Sequence, residues 1–232
     1  PVAHATRCMT TARRVGVLGG TFDPIHLGHL VAAEAARLGL HLDEIRLLPS
    51  HDPPHRSADP MASALHRFAL VALAIQDHPA YRVSDMELLR SGHSYTADSL
   101  RAMHVEGWTP LQIFFILGAD AFAEISTWRE FPDGLDGAHF VVIARPGTTL
   151  EEAAARTPAL RQRLHRLGDA IPQDGKTRVI LVEAHTRDIS STMIRARVSA
   201  HQPIDDLVPA AVARHIVMHH LYGAVGDLHG ND

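Results

Sequence analysis

Lysine is almost missing from this 232-residue chain: Lys176 is the only one among 22 lysine-plus-arginine residues. Any phosphate bound here must therefore be met by arginine, histidine, hydroxyls or backbone N–H groups. Cysteine is as scarce, with Cys8 alone, so no internal disulfide can form, which suits a reducing, cytoplasmic setting. No apolar run approaches the roughly 18 residues that a membrane span needs, so no membrane partner is expected. The opening PVAHATRCMTTARR lacks the apolar heart of a secretory signal, and Met9 within it is a candidate natural start. A net charge of −4 provides no basic field, which argues against a nucleic-acid partner.

What is present has an alternating order. Strand-type runs fall at Arg14–Leu18, Glu44–Pro49, Tyr81–Ser84, Leu111–Leu117, His139–Ala144 and Thr177–Glu183. Helical periodicity fits Leu27–Leu38, Ala62–Gln76, Thr96–Glu106 and Leu150–Leu167. The alternation predicts an α/β fold: a doubly wound, mostly parallel, Rossmann-like sheet with helices on both faces. From Pro203 a short helix and then a proline-started helix, with apolar positions Val208, Val212, Ile216 and Val217, predict a C-terminal helical addition. The expected division is a flexible extension over 1–13, one domain over 14–223 with its helical part at about 203–223, and a loose tail over 224–232.

Ligands of such sheets bind beyond the carboxyl ends of the strands, and the suggestive residues fall there. After the first strand stands GGTFDPIHLGHL, Gly19 to Leu30. Its glycines permit a tight turn and close approach of an anion to the backbone, with the positive end of a helix behind them. His26 and His29, three apart in the first turn, share a face. Neither common phosphate fingerprint applies. The glycines do not fit G-x-G-x-x-G, and no Gly-Lys-Ser/Thr follows them. A zinc site would need a third ligand and an H-E-x-x-H pattern, which is absent. With 18 histidines in the chain a lone one says little; a matched pair at a helix start says more. The local pattern favours an anion site over a glycine turn with two surface histidines.

GTFDPIHLGH resembles the (T/H)-x-G-H signature of the nucleotidylyltransferase superfamily, which transfers a nucleotidyl group to a phosphorylated acceptor and releases pyrophosphate. ISSTMIR, Ile189 to Arg195, resembles the second phosphate motif of the same superfamily. It follows a strand and opens a helix that Ser190 and Ser191 can cap. PPHR from Pro53, SYTADSL from Ser94, GADAF from Gly118, STW ending at Trp128 and ARPG from Ala144 are similar, in this order, to the nicotinate-nucleotide adenylyltransferases. The similarity runs from about Val15 to Tyr222, nearly the whole chain.

The resemblance implies adenylyl transfer from ATP to nicotinate mononucleotide, giving deamido-NAD and pyrophosphate. It implies ATP contacts at Gly19, Gly20, Thr21, Phe22, His26, His29, Gly118, Asp120, Ile189, Ser190, Ser191 and Arg195, with His26, His29 and Arg195 stabilising charge in the reaction. It places the mononucleotide against Asp23, His55, Arg56, Tyr95, Thr96, Trp128 and Arg145. Trp128 would stack on the pyridine ring, Thr96 and Tyr95 would stand beside its carboxylate, and His55 and Arg56 would close over its phosphate. Read locally, Asp120 and Thr96 fit helix caps equally well, Trp128 a packing anchor, and His55, Arg56 and Arg145 exposed or ion-paired cations. Mg²⁺ is expected on the ATP phosphates, with no protein ligand assigned. Transfer to nicotinamide mononucleotide, an idle nucleotide-binding regulator, and assembly into a homo-oligomer all stay open from the sequence.

Overall fold

A computed structural model describes residues 12–52, 60–144, 152, 157–169, 172, 174–185 and 188–224. Seven strands form one sheet: β1 Val15–Gly20, β2 Glu44–Pro49, β3 Tyr81–Val83, β4 Ile113–Gly118, β5 His139–Ala144, β6 Leu164–Arg166 and β7 Val179–Glu183. Their order across the sheet is β3-β2-β1-β4-β5-β7-β6, and every pairing is parallel. Winding runs from β1 out through β2 to β3 and from β4 out through β5. The β1/β4 junction is thus the switch point at which a doubly wound sheet opens a crevice.

Each strand sends alternate side chains to opposite faces, which is why six-residue apolar runs can serve two cores. Phe114 and Ile116 of β4 join one core; Ile113, Phe115 and Leu117 join the other. The first core is covered by α1 Leu27–Leu40, α2 Ala64–Ala74, α5 Ser191–Ser199 and α6 Ala210–Met218, through residues such as Leu30, Leu70, Ile194 and Val212. The second is covered by α3 Thr96–Val105 and the short α4 Ala119–Ala123, through Leu100, Met103 and Phe122. No helix among the described residues is long and apolar enough to cross a membrane.

Two expectations are corrected. The helix over Leu150–Leu167 is absent where the chain is described from 157 onward. A 3-10 stretch, Pro158–Arg163, runs directly into the edge strand β6, which pairs with β7. Leu160, Leu164 and Leu167 have helical spacing, but Pro158 starts a tight turn and the open edge of β7 captures the residues after it. The segment from Pro203 is a turn rather than a short helix; the second helix does follow, with Pro209 at its N-cap.

The loop that enters α1 is buried coil, so its polar groups need partners other than water. Two buried charges supply them. The Asp23 carboxylate, 1% exposed, accepts from the N–H groups of Met61 (2.9 Å) and Ala62 (3.1 Å) and from the Tyr222 hydroxyl (2.8 Å). The Arg67 guanidinium, also 1% exposed, donates to the carbonyls of Thr21 (2.8 Å), Ala62 (3.3 Å) and His51 (3.3 Å). Replacing Arg67 by Met fills the volume but strands these carbonyls. Arg67→Met should lower the unfolding free energy by about 3 kcal/mol or more. Urea unfolding followed by circular dichroism reads this; a loss below about 1 kcal/mol would show that the guanidinium does not hold the loop.

Candidate functional site

At the switch point lies a cavity of about 760 Å³. Its floor is made by the carboxyl ends of β1 (Leu18, Gly19, Gly20), β4 (Phe115 to Gly118) and β5 (Ile143, Ala144). One wall carries the starts of two helices: His26, Gly28 and His29 of α1, and Ser190, Ser191 and Thr192 of α5. Each helix start presents backbone N–H groups and the positive end of a dipole, and the two together make a strong anion site. The remaining wall, with Thr96, Trp128 and Asp120, is mixed apolar and polar.

Gly19 and Gly20 do not form the turn. They are the last two residues of β1, paired with Leu48 and Pro49, and neither has positive φ. The left-handed residue is Phe22 (φ 51°), held there by burial at 2% exposure and an edge contact of its ring with His29 at 5.1 Å. Gly20 gives it room, since a Cβ there would press on the Phe22 ring at 3.0 Å. Gly28 was missed by sequence reasoning and is constrained in the same way: a Cβ would meet His26 Nδ1 at 3.0 Å. Absence of that Cβ lets the His26 ring fold over the helix start.

His26 is the N-cap residue of α1, and its backbone N–H donates to His29 Nδ1 at 3.2 Å. The two rings lie 3.7 Å apart between centroids. Burial holds His26 down to about 4, and burial together with the His26 charge holds His29 well below the ordinary histidine range. Both imidazoles are therefore neutral near pH 7 in the free protein. His26 Nδ1 is buried without a hydrogen-bond partner, and so is the hydroxyl of Ser50, the residue after β2, which lines the same cavity. Two buried orphan polar atoms on one cavity wall call for a polar ligand. Ser50 carries no sequence signal; it becomes visible only when β2 is laid beside β1, where its N–H donates to Gly20 O at 2.9 Å.

The second motif docks onto the first. Ser190 caps α5 by accepting from the Met193 N–H at 3.1 Å, and the Ser191 hydroxyl donates to Pro24 O at 2.9 Å. Arg195 does not line the cavity. Its guanidinium donates to Asp23 O at 2.8 Å and Thr192 Oγ1 at 3.2 Å, which ties the two motifs together from behind. Asp23 and Phe22, expected at ligands, are likewise buried under the wall and shape the turn from within.

Gly118, Asp120 and Ile189 line the cavity, as do Thr21, Thr96 and Trp128. Asp120 is no helix cap: Gly118 takes that position in α4. Thr96 is the first residue of α3, whose N-cap is Tyr95. Tyr95 stands just outside the cavity wall with the Arg129 guanidinium 4.9 Å from its ring centroid. Trp128 is half-buried, its indole edge-on to Phe115 at 6.1 Å and to Phe140 at 6.4 Å. His55, Arg56 and Arg145 fall outside the described residues.

Comparison with known proteins agrees with this geometry. The family model described as "Cytidylyltransferase-like" matches residues 17–197. A protein of Moorella thermoacetica named "Probable nicotinate-nucleotide adenylyltransferase" is 40% identical over 214 residues, covering 92% of this chain and 94% of its own. One of the same name from Roseiflexus sp. is 42% identical over 208 residues, covering 90% and 97%. Among solved structures, a Plasmodium falciparum nicotinic acid mononucleotide adenylyltransferase complexed with NaAD superposes with a TM-score of 0.67 at 19% identity, covering 90% of this chain and 97% of that one.

Neutral buried histidines have a pH consequence. In the unfolded chain His26 takes up a proton near 6.5, whereas in the folded chain it resists until about 4. The unfolded state thus binds more protons in this window, and stability present above pH 6.5 is lost as the pH falls toward 4. His26 alone contributes on the order of 3 kcal/mol to that loss. His29 and the remote, buried His139, also held near 4, add in the same direction. Urea unfolding at pH 7 and pH 4.5 should show the fall, and His26→Asn should reduce it; an unchanged slope in the variant would contradict a buried neutral His26.

Proposed function

The chain belongs to the cytidylyltransferase-like family and, within it, to the nicotinate-nucleotide adenylyltransferases, and we propose on that basis how its cavity works. The chain transfers the adenylyl group of ATP to nicotinate mononucleotide, releasing pyrophosphate and leaving deamido-NAD. One observation carries the reading. Two helix N-termini and the buried, unpartnered His26 Nδ1 and Ser50 Oγ converge on a single cavity at the sheet's switch point.

The acceptor is a phosphate monoester whose oxygen is already ionised near neutral pH. That oxygen attacks the α-phosphorus of ATP; a P–O bond forms as the bridging bond to the β-phosphate breaks, and pyrophosphate departs with the electron pair. No proton has to be removed by a side chain, so the reaction asks for neither a paired-carboxylate nor a Ser-His-Asp arrangement. What it asks for is alignment of two anions and donors aimed at charge that develops on the α-phosphate and the leaving group. His26 and His29 are the assigned donors, together with the N–H groups at the starts of α1 and α5. Being neutral, they donate hydrogen bonds without first requiring a counterion, and an approaching triphosphate favours their protonation. Arg195 acts on the same turn by holding Asp23 O, which fixes the histidines relative to the second motif.

Among the described residues no group of three or more histidine, cysteine, aspartate or glutamate side chains could hold a metal. We assign Mg²⁺ to the triphosphate, where it would neutralise charge on the leaving pyrophosphate. We assign the pyridine ring to the aromatic face of Trp128, and the ring carboxylate to Thr96 and the N–H groups at the start of α3, both in the cavity lining.

Pyrophosphate release with ATP and a panel of phosphorylated acceptors tests the assignment. Nicotinate mononucleotide should be turned over well ahead of nicotinamide mononucleotide; no release with any acceptor would favour a nucleotide-binding regulator. His29→Ala should lower kcat by roughly 10²–10³ with a modest change in KM for ATP, as on removal of one preorganised donor. Turnover near the unsubstituted rate would remove His29 from its role. Trp128→Ala should raise KM for the mononucleotide much more than KM for ATP, and equal effects on both would refute stacking.

A further inference from the structure

The connection between β3 and α3 places a carboxylate where none is expected. Glu87 is 6% exposed and lines the cavity; among the described residues it is the only buried acidic one there, since Asp120 and Asp188 in the same lining are exposed. Enclosing a carboxylate is costly unless its oxygens are partnered, and burial pushes the Glu87 carboxyl upward against the opposing pull of Ser99, Ser94 and Arg90. Such a residue persists in a loop only where its partners matter.

Those partners belong to the two segments that flank the mononucleotide end of the cavity. The Ser99 hydroxyl, in the first turn of α3, donates to Glu87 Oε1 at 2.6 Å, and the Arg90 guanidinium donates to that same hydroxyl at 2.7 Å while standing 3.9 Å from the carboxylate. This fixes the turn that begins with Thr96. Ser94, the second hydroxyl at the carboxylate, accepts from the His51 N–H at 2.9 Å, and its own N–H donates to Asp52 O at 2.8 Å. His51 and Asp52 are the stem of the loop after β2, and His51 O is in turn held by Arg67. One side chain therefore sets the start of α3 against the stem after β2.

We propose that Glu87 is a positioning residue for the mononucleotide: it fixes the start of α3 and the stem at His51 and Asp52 at the spacing which the acceptor occupies. The proposal rests on the functional reading above. The Arg90 guanidinium, 3.9 Å from the Glu87 carboxylate, offsets the charge of that carboxylate.

Steady-state kinetics of the full chain, with each substrate varied in turn, test this for Glu87→Ala, Glu87→Gln and Ser99→Ala. Glu87→Ala should raise KM for nicotinate mononucleotide about tenfold, the equivalent of one or two lost hydrogen bonds. KM for ATP should change less than about twofold and kcat less than about threefold. Glu87→Gln, which keeps an acceptor oxygen for the Ser99 hydroxyl, should recover most of the loss, and Ser99→Ala should reproduce part of it. A glue role without positioning would instead lower the melting temperature and leave both KM values alone. That result, or an equal rise in both, overturns the proposal. If Glu87→Ala does not fold, the near-isosteric Ser99→Ala carries the test, and an unchanged mononucleotide KM there counts against it. Absence of pyrophosphate release by the unsubstituted chain would overturn the functional reading instead, a result separable from any pattern among the variants.

Discussion

Between the end of β1 and the start of α1 the chain passes through coil in which Phe22 to His26 are buried, so their backbone groups need partners other than water. Everything the cavity can do depends on how that passage is held. Asp23 gathers the backbone of residues 61 and 62 and the hydroxyl of Tyr222; Arg67 gathers the carbonyls of Thr21, Ala62 and His51. The two charges thereby recruit the segment ahead of α2, the loop after β2 and the chain beyond α6 into one clamp. Arg195 adds α5 by taking Asp23 O. Neither charge can be exchanged for its neutral isostere without leaving backbone groups unpaired in a place water does not reach. The C-terminal segment, whose described residues add no strand to the sheet, is part of the site's foundation through Tyr222 and through the Leu207 carbonyl that accepts from Leu27 N at 2.9 Å.

The clamp explains why the histidines can be neutral and still useful. A protonated pair 3.7 Å apart would repel, and burial penalises either charge alone. The free cavity thus keeps its donors uncharged, and the positive potential comes from the two helix starts, which cannot titrate. A polyanion entering such a site meets fixed dipoles and orphan donors that need no rearrangement, which is the condition under which hydrogen bonds contribute most to a charge-developing step.

The strands were legible to within a residue or two wherever apolar runs were long, as in Glu44–Pro49 and His139–Ala144, because a doubly covered parallel sheet makes its strands continuously apolar. The histidine pair and the serines of the second motif were legible because helix starts have strong local grammar. Edge strand β6 was not, since three residues with leucines at helical spacing give no strand period. Nor were Ser50, Gly28, Glu87 and Arg67. Each acts through a neighbour far away in the chain, as Glu87 does through Ser99 and Arg67 through Thr21. Such a pairing exists only after the sheet is assembled. Asp23 and Phe22, motif residues expected at ligands, are buried beside the cavity and give the motif its shape.

Arg195 marks how far that distinction reaches. An arginine in a phosphate motif invites assignment to the phosphate, yet in this arrangement its guanidinium faces the carbonyl of Asp23 and stands 3.9 Å from that residue's carboxylate. A guanidinium has five N–H donors in a fixed fork, so holding one carbonyl and one threonine hydroxyl does not exhaust it. Its planar geometry lets one edge secure the turn while another remains directed away from it. What the contacts of Arg195 show is structural: it spans from α5 to the Asp23 carbonyl and carboxylate. It locks α5 to the turn before α1, so that the two helix starts face one cavity at a fixed angle. Two anion sites that could move independently would bind a triphosphate in many poses. Joined through Arg195, Asp23 and Ser191, they present one.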